Sequence, residues 1–256
     1  KYGQPRRTEI ISEDDIEEVT EDSFIEDYNV RIFLTSQGYI KKIPLVSLRS
    51  SGDHKLKDED FIIQEIETRN KTDLILFSNK FVVYKLKTHE LSESKTSLLG
   101  DYLPNILGLD EDEKIIKIHA TDDYQGYFLF AYENGKMAKI PVSSYATKTN
   151  RKKLTNAYSN LSPLVDIHFL AEDKDFAAFS TIDKVLVFNT SQINAKVTRD
   201  SQGVQVLKSK KGSSLRKILP LEEASLKDPG YYRANIPAIG LYLKNEDKED
   251  IQIKMF

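Results

Sequence analysis

Short apolar runs with period-two alternation, separated by polar stretches, fill most of the chain, and the clearest of them come in pairs. Four pairs can be written one under another without gaps: LTSQGYIKKIPLVSL from Leu34, FSNKFVVYKLKTHEL from Phe77, AYENGKMAKIPVSSY from Ala131 and FSTIDKVLVFNTSQI from Phe179. Their spacings are 43, 54 and 48 residues. Each has an apolar run before it (RIF, LIL, YFLF, DFAAF), a two-residue turn, and a second run ending on an apolar residue. β-Branched and aromatic residues at this period predict strands, and the turns SQG, SNK, ENG and TID predict hairpins. The turn at Glu133–Gly135 is the strongest signal, because asparagine and glycine accept positive φ.

Upstream of each hairpin stands one more apolar run, SFIEDY, FIIQEI, IIKIHA and LVDIHF, followed by polar turns such as ETRNKTD, TDDYQG and AEDKD. Three or four antiparallel strands recurring at these spacings match propeller blades, whose period is about 40 to 50 residues. The expected fold is therefore all-β, a propeller-like array of four blades. Beyond Ile193 the pattern loosens. GVQVL reads as a strand, LEEASLKDPGYYR as a short helix or loop, and IPAIGLYL as a strand, which together make either an irregular fifth blade or a closing segment. A circular array seals its last blade, often by pairing both termini, and Arg6–Ile11 (RRTEII) is the candidate N-terminal strand. The expected division is an acidic N-terminal segment with its closing strand over 1–28, then the blades over 29–256.

Composition bounds the function. The 256 residues hold 39% hydrophobic side chains and no cysteine, which suits a folded core in a reducing compartment. No apolar run reaches the roughly 18 to 20 residues needed to span a bilayer, and KYGQPRRTEI lacks the apolar core of a signal peptide. A cytoplasmic location without membrane partners is expected. The chain starts with lysine rather than methionine, so we expect it to be an excised part of something longer. Net charge is −3, but ten acidic residues and no lysine or arginine lie between Thr8 and Val30. Setting those ten charges aside leaves +7 for the rest, so a mildly basic body carries a solvated acidic segment.

No P-loop, nucleophile elbow or Gly-rich dinucleotide fingerprint occurs. His119 and His168 fall at similar places in successive repeats, which reads as ordinary strand positions on different blades rather than a metal pair. Lysine is what recurs. One hairpin slot holds Lys42, then Lys85, then Lys139, and Val187 breaks the series. Each blade continues into basic residues: Lys41, Arg49, His54, Lys55 and Lys57; Lys87 and Lys95; Lys148, Arg151, Lys152 and Lys153; Arg199, Lys208, Lys210 and Lys211. Two readings stand side by side. Lysine solubilises exposed strands and blunts sheet edges, or equivalent slots line a curved positive track for a polyanion. No interleaved aromatic platform and no recognition helix is evident, so duplex backbone, bound with little regard to sequence, is the expected nucleic-acid target.

KYGQPRRTEI, then an acidic stretch, then TSQGYIKKIPLVSLRS, resembles the junction where the A subunit of bacterial type IIA topoisomerases leaves its coiled coil and enters its C-terminal domain. LILFSNKFVVYKLKTHEL, DYLPNILGLDEDEKIIKI, GYFLFAYENGKMAKIPVSSY and DSQGVQVLKSKKG extend the resemblance over nearly the whole chain. It implies a β-pinwheel whose outer rim binds and bends duplex DNA for ATP-dependent strand passage, with the remaining A subunit and the ATPase B subunit as partners in a bacterial, nucleoid-associated setting. It also implies no cofactor and no catalytic residue in this domain. ATP and magnesium serve other parts of the assembly, and the thirteen tyrosines here are not nucleophile candidates. Gyrases keep a basic, glycine-rich box after the first hairpin, approximately QRRGGKG, for chiral wrapping. The matching place is RSSGDHK, Arg49–Lys55, with one glycine and with Asp53, which repels phosphate. That departure points to topoisomerase IV, and gyrase is the alternative. A protein-interaction propeller of the WD or kelch kind is the reading from another class, but the chain has no tryptophan and none of their paired signatures.

Overall fold

The structure, a computed structural model, describes residues 24–49, 52–147, 151–208 and 212–247. The candidate closing strand Arg6–Ile11 lies outside them. Four antiparallel sheets of four strands form the blades of a β-propeller, each built around one predicted hairpin. Blade 1 pairs β1 (Asn29–Thr35) with β2 (Tyr39–Pro44), flanked by β3 (Ile62–Arg69) and β6 (Asp101–Tyr102). Blade 2 pairs β4 (Asp73–Ser78) with β5 (Val83–Lys87), flanked by β7 (Ile115–Thr121) and β10 (Lys153–Leu154). Blade 3 pairs β8 (Tyr127–Tyr132) with β9 (Lys136–Pro141), flanked by β11 (Leu164–Leu170) and β14 (Val204–Gln205). Blade 4 pairs β12 (Asp175–Ser180) with β13 (Lys184–Asn189), flanked by β15 (Leu215–Pro220) and β16 (Leu241–Tyr242). The α-helices among the described residues are single turns, α1 (Leu45–Leu48) and α2 (Leu103–Leu107).

The hairpins follow from local chemistry. Each turn closes on a residue in the left-handed region, Gly38, Phe81, Gly135 and Asp183. In three blades a buried hydroxyl receives an amide from across the turn: Thr35 Oγ1 from Tyr39, Ser78 Oγ from Lys80, and Ser180 Oγ from Lys184. The third apolar runs, which sequence order grouped with the following hairpin, belong to the preceding one. FIIQEI, for example, supplies β3, which pairs along β1 from Asn29↔Arg69 to Thr35↔Ile62. The free edge of the first hairpin strand needs this partner, because unpaired backbone groups in a packed sheet are costly.

Every fourth strand comes from further along the chain. After β5 the chain runs back to lay β6 on β2 of blade 1; after β9 it lays β10 on β5; after β13 it lays β14 on β9. Successive blades are thus laced together at the edge opposite β3, β7, β11 and β15. We call these lacing segments excursions. A glycine at positive φ enters three of the fourth strands: Gly100, Gly203 and Gly240. At Gly203 a Cβ would fall 1.9 Å from the Met137 carbonyl oxygen, so no side chain fits there.

The irregular C-terminal region is a closing segment and makes no fifth blade among the described residues. After β15 it turns through Leu221–Glu223 and Pro229–Tyr232, then lays β16 on β13. It follows the course of an excursion without a hairpin of its own, and its Ala224, Tyr232 and Leu243 cover Ala177, Phe179, Val185 and Val187 on the outer face of blade 4. Apolar seams join the blades in order: Val30 and Ile32 meet Leu74 and Leu76, Phe77 meets Phe128 and Phe130, and Leu129 and Met137 meet Phe176 and Leu186. Each large side chain buried this way contributes roughly 1.5–3 kcal/mol. Among the described residues no core cluster joins blade 4 to blade 1. The corresponding face of blade 1 instead carries exposed ion pairs from Arg31 to Glu65 (3.1 Å) and Glu67 (2.9 Å).

Candidate nucleic-acid interface

The recurring lysine slot is internal. Strands β2 and β9 sit mid-sheet with both faces covered, so Lys42 and Lys139 are buried at 3% and 7% exposure. The Lys42 ammonium donates to Asn70 Oδ1 at 3.0 Å. Lys139 donates to Asp173 Oδ1 at 2.5 Å and lies 4.8 Å over the Tyr127 ring. Lys85 is half-buried, donates to Thr147 Oγ1 at 3.2 Å and lies 4.9 Å over Tyr124. Burial pushes the Lys42 and Lys85 amines below their ordinary pKa. Burial raises the Asp173 carboxyl, but bonds from Lys139 and Thr190 outweigh it and hold it below the carboxylate range. The slot therefore ties each hairpin to neighbouring polar segments and corrects the expectation of an exposed row of charge. Blade 4, with Val187 in the slot, uses Arg233 instead. Its guanidinium grips Asp175 with two bonds of 3.0 and 2.6 Å beside the Val187 backbone.

Lys41 is likewise not a surface cation, being fully buried. Its ammonium donates to the carbonyls of Lys55 (2.7 Å) and Thr96 (3.3 Å), and burial lowers its pKa. The loop after the first hairpin is thereby pinned to the next excursion, with the Lys55 amide bonding Thr96 O at 2.8 Å and the His54 ring resting 4.3 Å from Phe33. At the end of this loop Asp60 accepts from Ser36 and from the amides of Gln37 and Phe61. Arg49, Lys55 and Lys57 project from this loop into solvent.

Of the other sequence candidates, Arg151, Lys152, Lys153 and Lys208 are exposed, and Lys87 and Arg199 are half-buried. Lys148, Lys210 and Lys211 lie outside the described residues. Lys152 pairs with Glu90 at 2.6 Å, and Lys153 lies 5.2 Å over the Tyr84 ring. Lys95, already marked by the sequence as part of the second blade's basic stretch, and Lys196 are exposed on the excursions after β5 and β13 and join these cations; only the path of the chain reveals that they share an edge with Arg151. His119 stacks between Phe169 (4.3 Å) and Phe128 (5.1 Å), and burial pushes it down to about 4. His168 places Nε2 3.0 Å from Asp166 Oδ2.

Clefts open between successive excursions, and their charge differs. One of about 420 Å³ is lined by Lys55 with Glu93 and Asp101. A second, about 460 Å³, is lined by Arg151 and Arg199 with Asp200. A third, about 420 Å³, is lined by Lys208 and by Arg233, which is already committed to Asp175.

A family model described as the DNA gyrase C-terminal domain, a β-propeller, matches residues 32–54 and 175–222, which are parts of blade 1 with its loop and of blade 4 together with β14 of blade 3. The DNA gyrase A subunits of Mycoplasma pneumoniae and Lawsonia intracellularis are each 27% identical to the chain, over 80% and 87% of it. The topoisomerase 4 A subunit of Staphylococcus aureus is 25% identical over 71% of the chain. The chain spans about a quarter of the length of these relatives, 25%, 28% and 24%. Among solved structures, the C-terminal domain of DNA topoisomerase IV matches with TM-score 0.68 and 27% identity, over 79% of this chain and 64% of that one. The E. coli ParC C-terminal domain, at 12% identity, shares the fold with TM-score 0.66 over 85% of this chain and 95% of that one. By these alignments, the chain is a homologue of the A subunits of DNA gyrase and topoisomerase IV, with the β-propeller fold of their C-terminal domains.

Proposed function

We propose that the chain binds duplex DNA along the laced outer edge of its blades and presents a bent segment to the catalytic core of a type IIA topoisomerase, in the manner of topoisomerase IV, for ATP-dependent strand passage. The observation that carries this reading is the match to the topoisomerase IV C-terminal domain over 79% of the chain. The exposed cations agree with it, since Arg151, Lys152 and Lys153 stand on the excursion after β9, Lys208 follows the one after β13, and Arg49, Lys55 and Lys57 stand on the loop bonded through Lys55 to the one after β5. Their work is phosphate neutralisation with counterion release, so affinity falls steeply with salt, and any preference comes from how easily a sequence bends. The remaining A subunit and the B subunit supply the nucleophile, the metal site and the ATPase.

Titration of a labelled duplex across a salt series tests the reading. With about six phosphates engaged, the log–log slope is expected near −5. No binding at low salt would overturn it. A gyrase-like role is the second reading, favoured by the gyrase A relatives at 27% identity. It requires chiral wrapping, read as a linking-number shift when nicked circles are religated with the chain bound. The altered loop at Arg49–Lys55, with one glycine and Asp53, leads us to expect no shift.

A further inference from the structure

The cleft between the excursions after β9 and β13 differs from its two counterparts in holding two arginines of which neither is spent on a carboxylate among the described residues. Its lining includes Arg151, Thr155 and Asn156 from one excursion, and Thr198, Arg199 and Asp200 from the other. Neither arginine makes an ion pair among the described residues, and Arg199 is steadied by a 3.0 Å bond to the Ser144 carbonyl. The two sides of the cleft are held by backbone bonds. The Lys85 amide donates to Lys152 O and the Lys196 amide to Lys139 O, each at 2.8 Å, and the Ala157 amide donates to Phe81 O at 2.9 Å. Guanidinium groups presented from fixed backbone lose little freedom on binding an anion, and their planar forks match phosphate oxygens. Hydroxyls and an amide beside them add neutral donors. The volume, about 460 Å³, holds one phosphate group with several waters at about 30 Å³ each.

The counterparts are poorer anion sites. In the cleft beside the first-hairpin loop, Glu93 and Asp101 outnumber Lys55. In the cleft beside the tail, Arg233 is held by Asp175, which leaves Lys208 alone.

We infer that a backbone phosphate of duplex DNA seats between Arg151 and Arg199, and that this cleft, rather than the loop after the first hairpin, is the chain's main grip on DNA. The inference rests on the proposed DNA-binding role and assigns that role a place. It is tested by anisotropy titration of a labelled duplex from about 50 to 200 mM salt with the parent chain, with Arg151→Gln/Arg199→Gln, and with Lys55→Gln/Lys57→Gln. Loss of that one phosphate contact is expected to weaken binding at least tenfold and to flatten the slope by about 0.9 in the arginine variant. The lysine variant is expected to lose affinity as well, but less than the arginine variant. Arg199→Lys, which keeps charge but not the fork, is expected to retain the slope and lose affinity. If Arg199→Gln disturbs folding, exposed Arg151→Gln alone is expected to weaken binding and to flatten the slope by up to about 0.9. A parent that binds while both Arg151→Gln and the double variant keep its slope overturns the cleft and leaves the DNA-binding role standing. A lysine variant weaker than the arginine variant does the same. A parent that does not bind duplex DNA overturns the role itself.

Discussion

The chain segment after blade 3 and the loop after blade 1 take equivalent steps in the repeat, yet one is held by buried aromatic rings and the other by a buried amine. In the segment after β9, Tyr145 donates to the Ala157 carbonyl at 2.7 Å, Tyr158 donates to Ser78 O at 2.6 Å, and the Ser159 amide donates to the Tyr132 hydroxyl at 3.1 Å. Their rings pack against Phe77, Phe81 and Phe130 in the seam between blades 2 and 3. In the loop after β2 the equivalent work falls to Lys41, whose charge is consumed by the Lys55 and Thr96 carbonyls. Aromatic anchoring leaves the nearby arginines free to face solvent. Amine anchoring spends a cation on the fold, holding the loop that follows the first hairpin.

The most damaging change should be on the aromatic side. Tyr158→Ala removes a ring stacked on Phe130 (centroids 5.6 Å apart) together with a buried hydroxyl, and is expected to cost about 4 kcal/mol in chemical denaturation. Acid should attack the same seam through His119. Folded, it titrates near 4 against 6.5 when free, so between those values the unfolded chain takes up a proton that the folded chain refuses. Stability is therefore lost as pH falls from 6.5 toward 4, by up to about 3 kcal/mol from this group. His119→Phe should reduce the pH dependence by that amount relative to the parent, read from urea midpoints at several pH values. On the amine side, Lys41→Met keeps the stem and removes the donor, leaving the Lys55 carbonyl without it and the Thr96 carbonyl with the Lys55 amide alone. A cost of about 2 kcal/mol is expected, with faster hydrogen exchange at the Lys55 amide. Equal losses for Tyr158→Ala and Lys41→Met would erase the contrast.

The hairpins were legible because the turns carry their own chemistry, as Asn134-Gly135 does, and because four copies at propeller spacing confirm one another. The third strands were legible as strands but not as partners, since period two says nothing about which neighbour a run joins. The fourth strands, two residues each, are too short to show any period. Their signal was glycine at the entry, in LLGDY, SQGVQV and AIGLY, where the backbone meets another chain segment too closely for a Cβ. Lys42, Lys85 and Lys139 were legible as a repeat and misread as an exposed track. Alternation assumes one solvent face, whereas β2 and β9 are covered on both, and the partners Asn70, Thr147 and Asp173 lie in distant turns. The Arg151–Arg199 cleft joins segments about fifty residues apart that only the lacing brings together.

The central claim is that DNA lies on the blade 2–3 side of the outer edge, where the excursions bearing Arg151 and Arg199 run. It is tested most directly by placing a photo-crosslinking side chain at Thr155 or at Lys57, one in each region, and irradiating each variant with a labelled duplex at moderate salt. Strong crosslinking from Thr155 and weak crosslinking from Lys57 is the expected result. The reverse order, or equal yields from both positions, would contradict it.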